Sequence, residues 1–250
     1  MNHQMLSKFV DSYLIPQELE KKKNAEVSTP YKLRNEMLDK VPADFWKTPK
    51  KVFEPCSGKG GFLIDIVNRF SKYLDYKTIV EQCLYFSDIN STNIYINKLL
   101  LDPEDKYKLN YNEGDTLELN IKEKWDIENF DLVVSNPPYN GPNKGDKVGG
   151  MTLWQAFVKS SLNNWIKEDG YLLSVHPGGW RKPEESINYL TKNNIKSSRS
   201  KTAGMFKLMA IDNTMIELNI RNAKDGKKTF KCGTRYDYYL IKRKVNDNNI

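Results

Sequence analysis

The amino-acid sequence predicts an α/β fold, a mostly parallel, doubly wound sheet with helices on both faces. Three observations carry that prediction. Residues 131–139 read DLVVSNPPY, an apolar run that does not alternate and stops where two prolines remove backbone donors, as a parallel strand buried on both faces does. Residues 51–65 read KVFEPCSGKGGFLID, a strand that ends in a glycine turn and opens straight into a helix. Between and after these stretches, short apolar segments with polar tips alternate with helical patterns, which is the element order of such a sheet.

Residues 1–24 hold KFVDSYL, a break at Pro16 and a Glu/Lys run, and predict a peripheral helical segment with a solvated charged face. Thr29 then stands as a helix N-cap with Pro30 at the first helical position, followed by Leu33, Met37 and Leu38 on one side. A strand through Val52 and Phe53 ends at Glu54-Pro55. Gly58, Gly60 and Gly61 make a turn whose backbone can approach a ligand closely, and Phe62, Leu63, Ile66 and Val67 begin a helix. A tight turn without a ligand fits the same residues. Lys59 and the lack of a G-K-[ST] ending argue against a nucleoside-triphosphate loop.

A second strand over 83–86 ends at Ser87-Asp88-Ile89. A carboxylate at that tip can accept both hydroxyls of a ribose, or it can cap the helix that begins near Ser91. A third strand near 108–112 ends at Glu113-Gly114-Asp115, where Asp115 also suits a turn. In 131–139, Pro137 restricts Asn136 to an extended conformation and Pro138 does the same to Pro137, so the loop is stiff. It offers the Asn136 side-chain oxygen and the Pro137 carbonyl as acceptors, with Tyr139 as an aromatic plate. Two acceptors can hold both hydrogens of a planar amino group while the ring stacks on its face.

Residues 140–150, rich in glycine and lysine, read either as a loop that closes over a substrate, with Lys144 and Lys147 near phosphates, or as a disordered surface loop. A helix over 152–166 packs Leu153, Phe157 and Leu162 inward, and a fifth strand over 171–175 leads to His176, a cleft residue or a satisfied structural histidine. In HPGGWRKPEES, Trp180, Arg181 and Lys182 are candidates for nucleic-acid contact, since an aromatic can stack on a base and cations can meet phosphates. Strands near 205–209 and 214–220 follow. Residues 221–250 then suggest a basic hairpin turning at Asp225-Gly226.

The 250 residues hold 39 Lys and Arg against 32 Asp and Glu, a formal charge of +7, which moderately favours a polyanionic partner. Cys56, Cys83 and Cys232 are far apart and the two histidines stand alone, so neither a disulfide framework nor a metal site is supported. No run is long and apolar enough for a membrane span and no secretion signal is present, so the expected setting is cytoplasmic.

Glu54-Pro55 with Gly58 and Gly60, followed later by Asn136-Pro137-Pro138-Tyr139, resemble the amino-methyltransferases that use S-adenosylmethionine, whose patterns are D/E-P-x-x-G-x-G and [DNS]-P-P-[YFW]. The resemblance covers roughly residues 25–220, and its motif order is similar to the gamma order of DNA N6-adenine methyltransferases. It implies a Rossmann-like seven-stranded class I fold with an antiparallel edge strand, and one methyltransferase domain over 25–250. It also implies S-adenosylmethionine as cofactor. Thr29 and Pro30 would lie near its methionine end and Glu54, followed by Pro55, at its ammonium group. The Gly58 and Gly60 backbone would meet its homocysteine part, with Phe62 as a packing neighbour, Asp88 on the ribose, Ile89 against the adenine and Asp115 at the adenine amino group.

The catalytic set implied is Asn136, Pro137, Pro138 and Tyr139, with Asn136 also beside the cofactor and no metal needed. The implied substrate is adenine in DNA, flipped or unpaired, within a restriction-modification setting. The same loop also serves RNA adenine or the glutamine side chain of a protein, although relatives of the last kind typically carry a larger helical domain before the core. A catalytically silent nucleic-acid-binding subunit is the reading from another class. The stretch after the fifth strand is short for a target-recognition domain, so a partner subunit is expected to supply sequence recognition.

Overall fold

Apolar runs with polar tips become the middle of a seven-stranded sheet, ordered β3-β2-β1-β4-β5-β7-β6, in a computed structural model that describes residues 3–14, 27–139, 153–181 and 204–244. The strands are β1 (Val52–Glu54), β2 (Leu84–Asp88), β3 (Asn110–Glu113), β4 (Phe130–Ser135), β5 (Ile166–Pro177), β6 (Thr214–Arg221) and β7 (Tyr236–Lys242). β1 to β5 are mutually parallel. The expected antiparallel pairing is made by β7, which lies between β5 and the edge strand β6 and opposes both.

Alternate residues of each central strand feed two cores. Val52, Phe86, Leu132, Val134 and Leu173 face one cluster, while Phe53, Tyr85, Val133 and Leu172 face the other. Burial on both faces explains why β4 carries no polar alternation. The first cluster is covered by α1 (His3–Tyr13), α2 (Tyr31–Leu38) and α3 (Gly61–Phe70). On the other face Phe157 and Val158 of α5 (Trp154–Ser160) pack with Leu162 and Trp165 of the π-turn that continues it. Between them in sequence, α4 (Ser91–Leu101) is capped by the Asn90 side chain, which accepts from Thr92 N. Asp88 therefore does not cap α4.

Three expectations are corrected. Residues 205–209 form a helix, α6 (Met205–Ala210), with Met205 and Met209 buried. Its run of apolar residues is too short for periodicity to separate helix from strand, and the helix starts at Gly204, whose φ of +75° suits glycine. The basic hairpin at Asp225-Gly226 is instead α7 (Ala223–Phe230). Asn222 accepts from Asp225 N while Asp225 returns a carboxylate to Asn222 N, and this capping box overrides the turn signal. The strand after α7 is β7, in the body of the sheet, so 221–242 is not an appended hairpin.

Thr29, the third, does not cap α2. Pro30 is the capping residue, with an extended ψ of 148° and no side-chain bond. The cap comes from elsewhere, since Asp11 Oδ2 in α1 accepts from Tyr31 N. The expected peripheral segment thus includes a helix tied into the body, with Ser7 fully buried. Its Glu/Lys run lies outside the described residues.

Candidate active site

The sheet order reverses between β1 and β4, so the loops after these two strands diverge and leave a crevice at their carboxyl ends. Gly58 and Gly60 adopt φ of +50° and +81°, and a Cβ at Gly60 would lie 2.4 Å from Asn97 Oδ1. Glycine is therefore required by both backbone and space. Ser57 N donates to Ser87 O at 3.0 Å and Gly58 N to Asp88 Oδ2 at 2.8 Å, which ties the turn to the end of β2. Asn97 of α4 donates to Ser57 Oγ at 2.7 Å. Pro55 is held through its carbonyl, which accepts from Thr116 Oγ1 at 2.8 Å. On the other side, Cys56 Sγ lies 3.4 Å from Ser135 Oγ. The glycine turn and the Asn136 corner are therefore neighbours.

Glu54 ends β1 with 3 % exposure, and its Oε2 has no hydrogen-bond partner among the described residues. Burial pushes its carboxyl well above the usual carboxylate range, opposed by the Arg34 guanidinium. An orphaned buried acid is costly unless something cationic meets it, and an ammonium group of a ligand fits. Asp88 is also buried and pushed up by burial, even though Gly58 N, Asn90 N and Asn93 Nδ2 donate to it. Next to it Ile89 is 64 % exposed, an apolar surface free to meet a flat ring. Phe62 is buried as a packing residue. Asp115 is exposed, caps a short turn through Leu117 N, and lines a groove with Asn112, Gly114 and Glu118.

Asn136 Nδ2 donates to Val27 O and to Thr29 Oγ1, each at 2.9 Å. Its Oδ1 is buried without a partner among the described residues, and so is the Tyr139 hydroxyl. Burial raises the Tyr139 pKa, which keeps the ring neutral. Pro137 is buried and Pro138 half-buried. Burial likewise raises the Cys56 thiol, so it is not a thiolate nucleophile. Among the described residues no group of His, Cys, Asp and Glu could hold a metal ion, and no helix is long and apolar enough to cross a membrane.

One expectation fails at the end of β5. Trp180 is 2 % exposed, donates Nε1 to Asp237 Oδ2 at 3.0 Å and stacks near Phe206. It is a core residue and cannot stack on a base. Arg181, beside it, is ion-paired to the same Asp237 at 2.8 Å while its side chain stays 36 % exposed. Lys144, Lys147 and Lys182 lie outside the described residues.

His176 is fully buried, stacked on Trp154 at 3.9 Å, with Nε2 2.8 Å from Tyr239 Oη and Nδ1 3.0 Å from Pro177 O, so it is structural. Burial pushes its pKa from 6.5 down to about 3. Between those values the unfolded chain binds a proton there and the folded protein does not, so stability is lost as pH falls. The expected loss is up to about 1.4 kcal/mol per pH unit. Urea midpoints measured against pH check this, and the slope should flatten in His176→Asn.

Sequence reasoning missed Arg34 and Asp65. Arg34 is 2 % exposed. Its Nε meets Asp65 Oδ2 at 2.6 Å, Nη1 meets Asp11 Oδ1 at 2.6 Å and the Thr29 carbonyl, and Nη2 meets Ser7 Oγ at 2.7 Å. Its place between Leu33 and Met37 on α2 is the only local signal, and a charge there reads as solvated.

The strand order and the strand-end site define the class I methyltransferase fold. That fold is shared over 100 % of this chain, at 13 % identity and a TM-score of 0.61, with a Listeria monocytogenes protein provisionally described as a class I S-adenosylmethionine-dependent methyltransferase, of which 71 % is covered. The type I restriction-modification methyltransferase subunit from Streptococcus thermophilus matches over 99 % of this chain and 49 % of its own, at 16 % identity and a TM-score of 0.63. The N-6 DNA Methylase family matches residues 10–165, and the chain belongs to it. A Mycoplasma pneumoniae protein described as an uncharacterized adenine-specific methylase is 23 % identical over 139 residues, 54 % of this chain and 32 % of that protein. The chain thus spans about a third of that relative and about half of the type I subunit.

Proposed function

We propose that this chain transfers a methyl group from S-adenosylmethionine to the exocyclic N6 amino group of adenine in DNA. The single observation that carries the reading is the Asn136 Oδ1, a buried acceptor left unpaired on a stiff loop next to the glycine turn. It would accept one N6 hydrogen and the Pro137 carbonyl the other, drawing the amine lone pair out of the purine ring, while Tyr139 stacks on the base. The cofactor, when bound, supplies an electrophilic methyl group on a sulfonium. Glu54 would hold its ammonium group, the Gly58 and Gly60 backbone its homocysteine part, Asp88 the ribose, Ile89 the adenine face and Asp115 the adenine amino group. In a duplex the target base must leave the stack to reach the site.

Membership of the N-6 DNA Methylase family and likeness to an adenine-specific methylase favour DNA adenine over RNA or protein glutamine. Likeness to the methyltransferase subunit of a type I restriction-modification system supports a partner chain that reads the target sequence. With labelled cofactor and equal amounts of DNA, RNA and protein, label should enter DNA. Label confined to RNA or protein would overturn the substrate.

Glu54 makes cofactor affinity pH-dependent. Burial holds its carboxyl well above the usual carboxylate range, whereas an ammonium group binds the ionised carboxylate. Affinity is therefore expected to fall about tenfold per pH unit below that pKa, with proton release on binding. Calorimetry in buffers of different ionisation enthalpy measures both, and Glu54→Gln should abolish the proton release.

A further inference from the structure

We infer that Thr29, with the Val27 carbonyl, is a positioning residue for methyl transfer that acts through the Asn136 amide. The inference rests on the amine-clamp reading above. An asparagine amide can turn either its oxygen or its nitrogen toward a cleft, since the terminal torsion has two broad wells. An amine clamp works with only one of them, because a flipped amide would point its own hydrogens at those of the substrate.

The structure decides the sense from outside the loop. Val27 O, which can only accept, takes one Asn136 hydrogen at 2.9 Å, and Thr29 Oγ1 takes the other at 2.9 Å. Both hydrogens are then used, and Oδ1 is left as the open acceptor. A flip would set Oδ1 against the Val27 carbonyl, two acceptors with no proton between them.

The segment that supplies these acceptors is itself held from behind. The Thr29 carbonyl accepts from Arg34 Nη1, and Tyr31 N donates to Asp11 of α1. Thr29 is 6 % exposed. Its hydroxyl does not cap α2; it accepts from Asn136 Nδ2 at 2.9 Å.

Three variants of the full chain test this, read by steady-state methylation of adenine in DNA and by cofactor calorimetry. Thr29→Val keeps the shape and removes the acceptor, and kcat should fall about tenfold or more because the clamp loses its fixed geometry. The fall in kcat should exceed any change in cofactor Kd, since the bond to Asn136 serves the transfer step. Thr29→Ser keeps the acceptor and should recover most of kcat, which also shows that a folding defect is not the cause. Asn136→Asp still offers acceptor oxygens to the amine but has no hydrogen for Val27, and it should lose most activity at neutral pH.

Wild-type kcat in Thr29→Val, a loss confined to cofactor Kd, or full activity in Asn136→Asp would each overturn the positioning role alone. Failure of the wild-type protein to methylate adenine would remove the amine clamp and this inference with it.

Discussion

Asn136→Ala is expected to lower the single-turnover rate of adenine methylation by about a hundredfold to a thousandfold, the usual effect of deleting one preorganised group at a reacting centre. The exocyclic amine of adenine shares its lone pair with the ring, so the reaction depends on acceptors that localise it. Oδ1 is the acceptor that Asn136 turns to the corner, fixed in place by the two bonds its Nδ2 donates to Val27 and Thr29. Alanine removes the acceptor and also leaves those two groups without their donor, at a stability cost on the order of 1 kcal/mol each. Rates are therefore to be measured well below the melting temperature of the variant. Near-normal transfer would mean that the amine is activated elsewhere.

Arg34→Ala is expected to destabilise the fold by about 3–5 kcal/mol, as removal of one member of a buried ion network does. Asp65 is buried and Asp11 partly so, and both lose their cation, while Ser7 and the Thr29 carbonyl lose a donor. Burial already pushes the Asp65 carboxyl up, with Arg34 opposing it. In the variant that carboxyl rises further, so the penalty should shrink as pH falls and Asp65 takes up a proton. Glu54 loses an opposing charge as well, and cofactor affinity at neutral pH should weaken. Denaturant unfolding at several pH values, paired with calorimetry, measures both. The double variant Arg34→Met with Asp65→Leu should recover part of the stability, because no charge then remains unpaired at that pair of positions.

The residues of the proposed site were legible because they sit where apolar strands stop. Glu54-Pro55, Asp88 and Asn136-Pro137 each follow a run of buried residues, and glycine or proline marks the break. Local chemistry carries such signals over four or five positions. Trp180 was misread because its partners Asp237 and Tyr239 lie on β7, and no local pattern shows that a tryptophan flanked by glycine and arginine will be covered by a later strand. Asp225-Gly226 resembled a hairpin turn until Asn222, three positions earlier, is recognised as the reciprocal cap. Thr29 shows the same limit from the other side. As the residue before a proline at a helix start it reads as a cap, yet Asn136, 107 positions away, claims its hydroxyl. Long-range pairing of polar groups settled these cases, and it follows the fold rather than preceding it.

The most direct test is to incubate the protein with S-adenosylmethionine and DNA, digest the DNA to nucleosides and identify the methylated product by mass spectrometry, with Asn136→Ala run in parallel. The account predicts N6-methyladenine from the wild-type protein and little or none from the variant. Methyl groups on another base, or equal yields from both proteins, would contradict it.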